Sequence, residues 1–240
     1  MAEFTEYEIS TDYAHIEPKL EIIKSSRKFK NWLLKNNNDV IRIKKIKITD
    51  VDFFGKIEPD RLGFVKLKAE AFNAHTNAPI SSIAFIRGDS VSILIIVSIE
   101  ETDKKYVLMC EQIRFPVGRR MVEACAGMVD ESTGNIIGVV FKEVAEETGF
   151  IINKDDPLLL SHGIIYPSPG ACDEAIHLYS WNTIISEKEF EEKNQKIFGE
   201  GEHESIKLRF YDYETFDGVL DEIGDVKAES IWRRLCNSRK

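Results

Sequence analysis

The sequence predicts an α+β fold in which helices pack on a mixed β-sheet, preceded by a small N-terminal antiparallel β unit. Three observations lead there. Two runs with a two-residue apolar repeat, VIRIKKIKI (40–48) and GFVKLKAEAF (63–72), stand close together early in the chain, and that period is the one of half-buried strands. SVSILIIVSI (90–99) is apolar at almost every position, as a strand covered on both faces is. Helical patterns then appear at 135–148 and again near the end. The expected division is a helix plus β unit over 1–75 and a main domain of sheet and helices over 76–240.

Residues 1–24 carry little periodicity. In SSRKFKNWLLKNNND, Ser25 or Ser26 caps a short helix with Phe29, Trp32 and Leu33 on one face, and the asparagine run ends it. DFFGKIEPDRLG is turn chemistry between the first two strands. SSIAFIRG, SVSILIIVSI and KYVLMCEQIRF follow as three more. After a loop, 135–148 is helical and stops at Gly149, a left-handed C-cap. SHGIIYPSPGACDE and AIHLYSWNTI read as strand, loop, strand. EKEFEEKNQKIFGEGEHE reads as a charged connection, SIKLRFYDY as a strand, and ETFDGVLDEI and KAESIWRRLCNSRK as closing helices.

Composition narrows the function. The chain has 240 residues, 43% of them hydrophobic, enough for a sizeable core. A net charge of −9 argues against nucleic acid or an anionic membrane as partner, since both want basic surface. Cys110, Cys125, Cys172 and Cys236 form no CxxC pair and no zinc-type spacing. With no secretory leader pattern and no apolar run long enough for a bilayer, the expectation is a cytoplasmic protein, an organelle being the alternative.

The stretch KEVAEETGF (142–150) carries the chemistry. With Glu143 at zero on a helical wheel, Glu147 falls at about +40° and Glu146 at about −60°, so the three acids fan along the border of an apolar arc of Ile137, Val140, Phe141 and Val144. Like charges at this spacing destabilise a helix unless a cation joins them. Oxygen ligands for a hard divalent ion are one reading; a solvated acidic edge is the other.

The flanks favour the first. AGMVDESTGNIIGVVFKEVAEETGF (126–150) resembles the Nudix hydrolase box, G-x5-E-x7-R-E-U-x-E-E-x-G-U with U apolar. Gly127 opens it, and Glu143, Val144, Glu146, Glu147, Gly149 and Phe150 match its second half. Three features depart from the pattern. The opening is one residue longer, Thr133 or Gly134 stands nearest the first glutamate position, and Lys142 replaces the arginine. Further segments, VDFFGKIEPDRLGFVKLKAEAF, RGDSVSILIIV, EQIRFPVGR and YPSPGACDE, are similar in the same order to the nucleoside-diphosphate-sugar pyrophosphatase branch, especially plant-type ADP-sugar diphosphatases.

That resemblance implies a Nudix-type α/β/α sandwich and Mg2+-dependent hydrolysis of an ADP-sugar, ADP-ribose or ADP-glucose, to AMP and a sugar phosphate. It implies two or three Mg2+ ions, with Mn2+ as an alternative. Glu143, Glu147 and the Ala126 carbonyl become metal ligands, with Glu146 a catalytic carboxylate beside them. In GEGEHESIKL, Glu204 becomes a further ligand and Glu202 the general base. Arg114 becomes a phosphate ligand, with Arg87 and Glu174 further substrate contacts. Phe53, Phe54, Phe115 and Tyr166 are candidates for stacking the base, with no choice among them. The N-terminal unit would serve a homodimer. UDP-glucose as substrate and a non-catalytic nucleotide-sugar sensor remain the competing readings.

Overall fold

A computed structural model describes residues 8–36, 38–129, 135–153, 156, 159–199 and 205–237. They divide into two compact units. The first takes the described residues up to Asp89 together with Ser168–Glu174, and the second takes the rest.

In the first unit, β1 (Glu8–Ser10), β2 (Ile41–Phe53), β3 (Leu62–Asn73) and β4 (Ile83–Ile86) form a sheet in that order. The β2–β3 and β3–β4 pairs are antiparallel, whereas β1 joins β2 in parallel. Two helices cover the sheet's apolar residues: α1 (Leu20–Ser25), which weak periodicity hid, and α2 (Arg27–Asn36). Ser26 is the cap of α2, its Oγ accepting the Phe29 N–H at 3.2 Å. Ile16, Ile23, Phe29, Ile46, Ile48, Val65 and Ile86 are fully buried between these layers. The 168–174 loop is stitched to the strand end: Phe85 N–H donates to the Ala171 carbonyl at 2.8 Å, and Asp173 Oδ1 accepts the Arg87 and Gly88 amides at 2.8 and 3.2 Å.

The second unit is built on a mixed sheet of β5 (Ser90–Ile99), β6 (Lys105–Arg114), β7 (Arg119–Glu123), β8 (Cys125–Met128), β9 (Leu160–Ile165), β10 (Ile176–Ile185), β11 (Ile197–Phe198) and β12 (Ile206–Asp212). Its order is β11-β12-β6-β5-β10-β9, with β7 on β6 and β8 on β5. The β5–β10 pair is parallel and the others antiparallel. β5 is buried along nearly its whole length, as its apolar run requires. Alternate residues feed two cores. Ile93, Ile95, Val97, Leu108 and Cys110 pack with α3 (Ile136–Thr148), while Leu94, Ile96, Val107 and Met109 pack with α5 (Phe216–Ile223) and α6 (Val226–Asn237). The result is the expected helix–sheet–helix sandwich.

Another helix departs from the sequence expectation. The stretch taken as a charged connection contains α4 (Glu187–Gln195). Ser186 and Glu189 have capping-box spacing, and the Ser186 Oγ accepts the Glu189 N–H at 3.2 Å. Phe190 then stacks on Tyr106 with ring centroids 4.9 Å apart, a contact that outweighs the helix's polar composition. Among the described residues no helix is long and apolar enough to cross a membrane.

Candidate active site

The ends of α3 are fixed locally. Asn135 Oδ1 accepts the Gly138 N–H at 3.0 Å, and Gly149 closes the helix at φ +67° with its N–H on the Ala145 carbonyl. A side chain at Gly149 would be strained by that φ, and its Cβ would come within 2.6 Å of the Phe198 ring.

Between these caps the wheel turns further inward than the sequence suggested. Val139, Val140, Val144 and Thr148 are buried, whereas Ile137, assigned to the apolar arc, is exposed. With Val139 at about −40° and Thr148 at about +140°, Glu143 and Glu147 fall inside the buried face and not along its border. Glu147 is only 4% exposed. This disposes of the solvated-edge reading for that residue, because an ionised carboxylate is costly to bury without partners.

The backbone opposite is shaped for these acids. Ala126 donates its N–H to Glu147 Oε2 at 3.2 Å. Beside it, a Cβ built on Gly127 would lie 2.0 Å from Glu143 Cδ and 2.1 Å from its Oε1, so the Glu143 carboxylate rests directly on the strand. Glu146 is less covered and pairs with Lys142 Nζ at 3.4 Å, one turn earlier. The lysine therefore still steadies a box carboxylate, as a point charge and without the fork of an arginine. The Glu146 carbonyl accepts the Gly199 N–H at 3.2 Å, tying to α3 the segment that continues toward Glu202 and Glu204. Those two residues lie outside the described residues.

Glu147 also has two thiols for neighbours. Cys110 and Cys125 are fully buried in the core under α3. Their mutual hydrogen bond draws the Cys110 thiol down, yet burial and the Glu147 charge leave it raised. Burial, the bond to Cys110 and Glu147 push Cys125 well above its ordinary value. Both therefore stay protonated and inert at neutral pH.

Arg114 ends β6. Its Nε donates to Glu123 Oε2 at 2.5 Å, and Glu123 Oε1 accepts from Lys227 Nζ at 2.9 Å. Burial raises the Glu123 carboxyl, but Lys227 and Arg114 together overcome that and hold it below its usual range. Neither Glu123 nor Lys227 was anticipated. An acid between apolar neighbours in MVEACAG was the one visible signal.

Arg87 and Glu174 both belong to the first unit, where Arg87 Nη2 pairs with Glu174 Oε1 at 3.3 Å. The Arg87 Nε is buried and makes no hydrogen bond to the described residues. Among the base-stacking candidates, Phe115 is 93% exposed and Tyr166 is exposed as well. Phe53 packs against the first unit's core, and Phe54 meets Phe64 edge-on at 5.4 Å. Among the described residues no group of three or more His, Cys, Asp or Glu side chains is arranged to hold a metal ion. The donor chemistry of Glu143 and Glu147 nevertheless suits a hard divalent cation, since both offer only oxygen.

No family model matches the chain. It is 33% identical over 200 residues to Nudix hydrolase 14, chloroplastic, of Arabidopsis thaliana, an alignment covering 77% of the present chain and 63% of that protein. The chain is a homologue of a Nudix hydrolase. It spans less than two thirds of that relative's length. A solved structure described as an ADP compounds hydrolase matches with a TM-score of 0.52, over 82% of this chain and 95% of that one, at 11% identity. The second likeness is one of fold: the same sandwich with mixed sheet, reached through a largely different sequence.

Proposed function

We propose that the chain is a metal-dependent hydrolase that cleaves the diphosphate of an ADP-sugar, ADP-ribose or ADP-glucose, to AMP and a sugar phosphate. The observation that carries this reading is the pair Glu143 and Glu147, turned into the buried face of α3 against the backbone of Gly127 and Ala126. Two acids this close on one helix face repel each other, and a bound cation would relieve that repulsion. Mg2+ or Mn2+ suits these donors, and two or three ions would be shared between the carboxylates and the two negative charges of the diphosphate.

When bound, the metal neutralises the diphosphate and lowers the pKa of a water. The residues supply the remainder. Glu143, Glu147 and the Ala126 carbonyl hold the ions, and Glu146, steadied by Lys142, supports them. Arg114 draws the phosphate oxygens with a charge-assisted hydrogen bond. Glu202 accepts the proton of the attacking water, and Glu204 adds a ligand. Arg87 and Glu174 contact the substrate, and the N-terminal unit pairs two copies into a homodimer. The preference for adenine rests on the sequence segments around Arg114 and 51–72.

The test is a hydrolysis panel of ADP-ribose, ADP-glucose and UDP-glucose, each with Mg2+, Mn2+ or EDTA, with the nucleoside monophosphate read by chromatography. Metal-dependent AMP is the expected product. UMP alone would keep the chemistry and overturn the substrate. Binding with no turnover of any compound would make the protein a sensor.

A further inference from the structure

Four charged side chains lie in one chain of contacts beneath the end of β6. Arg114 Nε meets Glu123 Oε2 at 2.5 Å, Glu123 Oε1 meets Lys227 Nζ at 2.9 Å, and Lys227 Nζ meets Asp225 Oδ1 at 2.8 Å. The side chains of Glu123, Lys227 and Asp225 are 10%, 14% and 3% exposed, against 37% for Arg114. The series thus runs from the interior to one outward-facing cation. A buried ion pair is weak evidence for stability, since apolar residues of similar volume often do as well.

The parts do different work. Asp225 is committed to backbone: its Oδ2 accepts the Ala124 N–H at 2.8 Å and the Ala228 N–H at 3.3 Å. It therefore caps the start of α6 and pins the short link between β7 and β8, directly before Ala126 and Gly127. Its Oδ1 accepts from Lys227 Nζ at 2.8 Å, so Asp225 holds the lysine in place against Glu123. Each oxygen of Glu123 has its own cation, so the carboxylate is shared between Lys227 and Arg114. One consequence follows for Arg114. A guanidinium is planar, so anchoring Nε sets the plane in which its terminal nitrogens lie.

We propose that Lys227 is a positioning residue for the diphosphate. Through Glu123 it fixes the orientation of Arg114 toward phosphate oxygens, although Lys227 stands more than a hundred residues further along the chain. This rests on the reading of Arg114 as a phosphate ligand given above. It also assigns a task to the C-terminal helix, which contributes none of the box residues.

The experiment uses the full chain with ADP-ribose and Mg2+. KM, kcat and melting temperature are compared for wild type, Lys227→Gln, Lys227→Arg, Arg114→Ala and the double variant Lys227→Gln/Arg114→Ala. Lys227→Gln is expected to raise KM about tenfold with kcat within about twofold, and Lys227→Arg to restore most of it. In the Arg114→Ala background, Lys227→Gln should add almost nothing to KM, because the two act as one unit. A full additional increase there would overturn the proposal, since it would mean that Lys227 acts without Arg114. If Arg114→Ala raises KM and Lys227→Gln does not, positioning fails while the phosphate reading stands. If Arg114→Ala leaves KM unchanged, the phosphate reading fails and the proposal with it. Should Lys227→Gln not fold, Glu123→Gln makes the same cut from the other side, with the same cycle and the same criteria.

Discussion

Adding one methyl group to Gly127 offers a sharp test of the candidate site. The backbone there tolerates alanine, since Gly127 is a strand residue without a positive φ. The obstacle is the glutamate. The new Cβ would lie 2.0 Å from Glu143 Cδ, 2.1 Å from Oε1 and 2.3 Å from Cγ, where non-bonded carbons sit about 3.5–4.0 Å apart. The carboxylate must therefore retreat by about 1.5 Å, a difference between these contacts and the ordinary separation. Rotating the side chain off its favoured well costs about 0.5–1.5 kcal/mol, so Gly127→Ala should fold with a modest drop in melting temperature. Catalysis should suffer more. A displacement of about 1 Å in a positioned group costs about 100-fold, or about 2.7 kcal/mol of transition-state stabilisation. The assay is kcat/KM for metal-dependent AMP release from ADP-ribose, with Mn2+ affinity measured alongside by calorimetry. Both should fall in Gly127→Ala while circular dichroism stays that of wild type. A variant with unchanged turnover and unchanged Mn2+ affinity would refute the reasoning, because Glu143 would then have moved without consequence for the ion.

Glu147→Gln keeps the shape and the Ala126 contact but removes a charge, so kcat should fall by at least about 100-fold; near-wild-type turnover would end its role as ligand. The Glu123–Lys227 pair predicts a pH profile. Glu123 is depressed by Lys227 and Arg114 against its burial, so its contribution is complete above the ordinary carboxylate value and is lost as pH falls through the lower folded value. Burial lowers Lys227, but Asp225 and Glu123 leave it raised, so its contribution is complete below the ordinary lysine value and is lost only as pH rises beyond it. The melting-temperature gap between wild type and Lys227→Gln should therefore stay flat from about pH 5 to about pH 9; a gap that titrates near neutrality would contradict the pairing. Light scattering at micromolar concentration should give the mass of two chains, and a monomer would remove the homodimer.

Much of the candidate site was legible because it is local. The capped span of α3, the stop at Gly149 and the acids at 143, 146 and 147 all follow from residues within a few turns of one another. The run at 90–99 announced a buried central strand for the same reason, since its neighbours cannot be polar on either side. Where composition was the guide, it misled: α4 looked like a connection until Phe190 found Tyr106 and Phe210, and a capping box counted for more than charge.

Depth and pairing belong to the tertiary structure. A helical wheel gives angles, but only packing on the sheet decided that Glu147 lies inside the buried face while Ile137 is left outside. Gly127 was readable as a motif position; that its missing side chain is the space occupied by Glu143 required the strand and helix to be brought together. The Glu123–Lys227 contact joins residues 104 apart in the chain, and no periodicity can report it. Sequence determined which residue types have the chemistry to meet a cation or an anion, because that depends on side-chain groups and local helix geometry. Folding decided which of them meet, because ion pairs and close contacts are set by distances that only the sheet register and helix packing create.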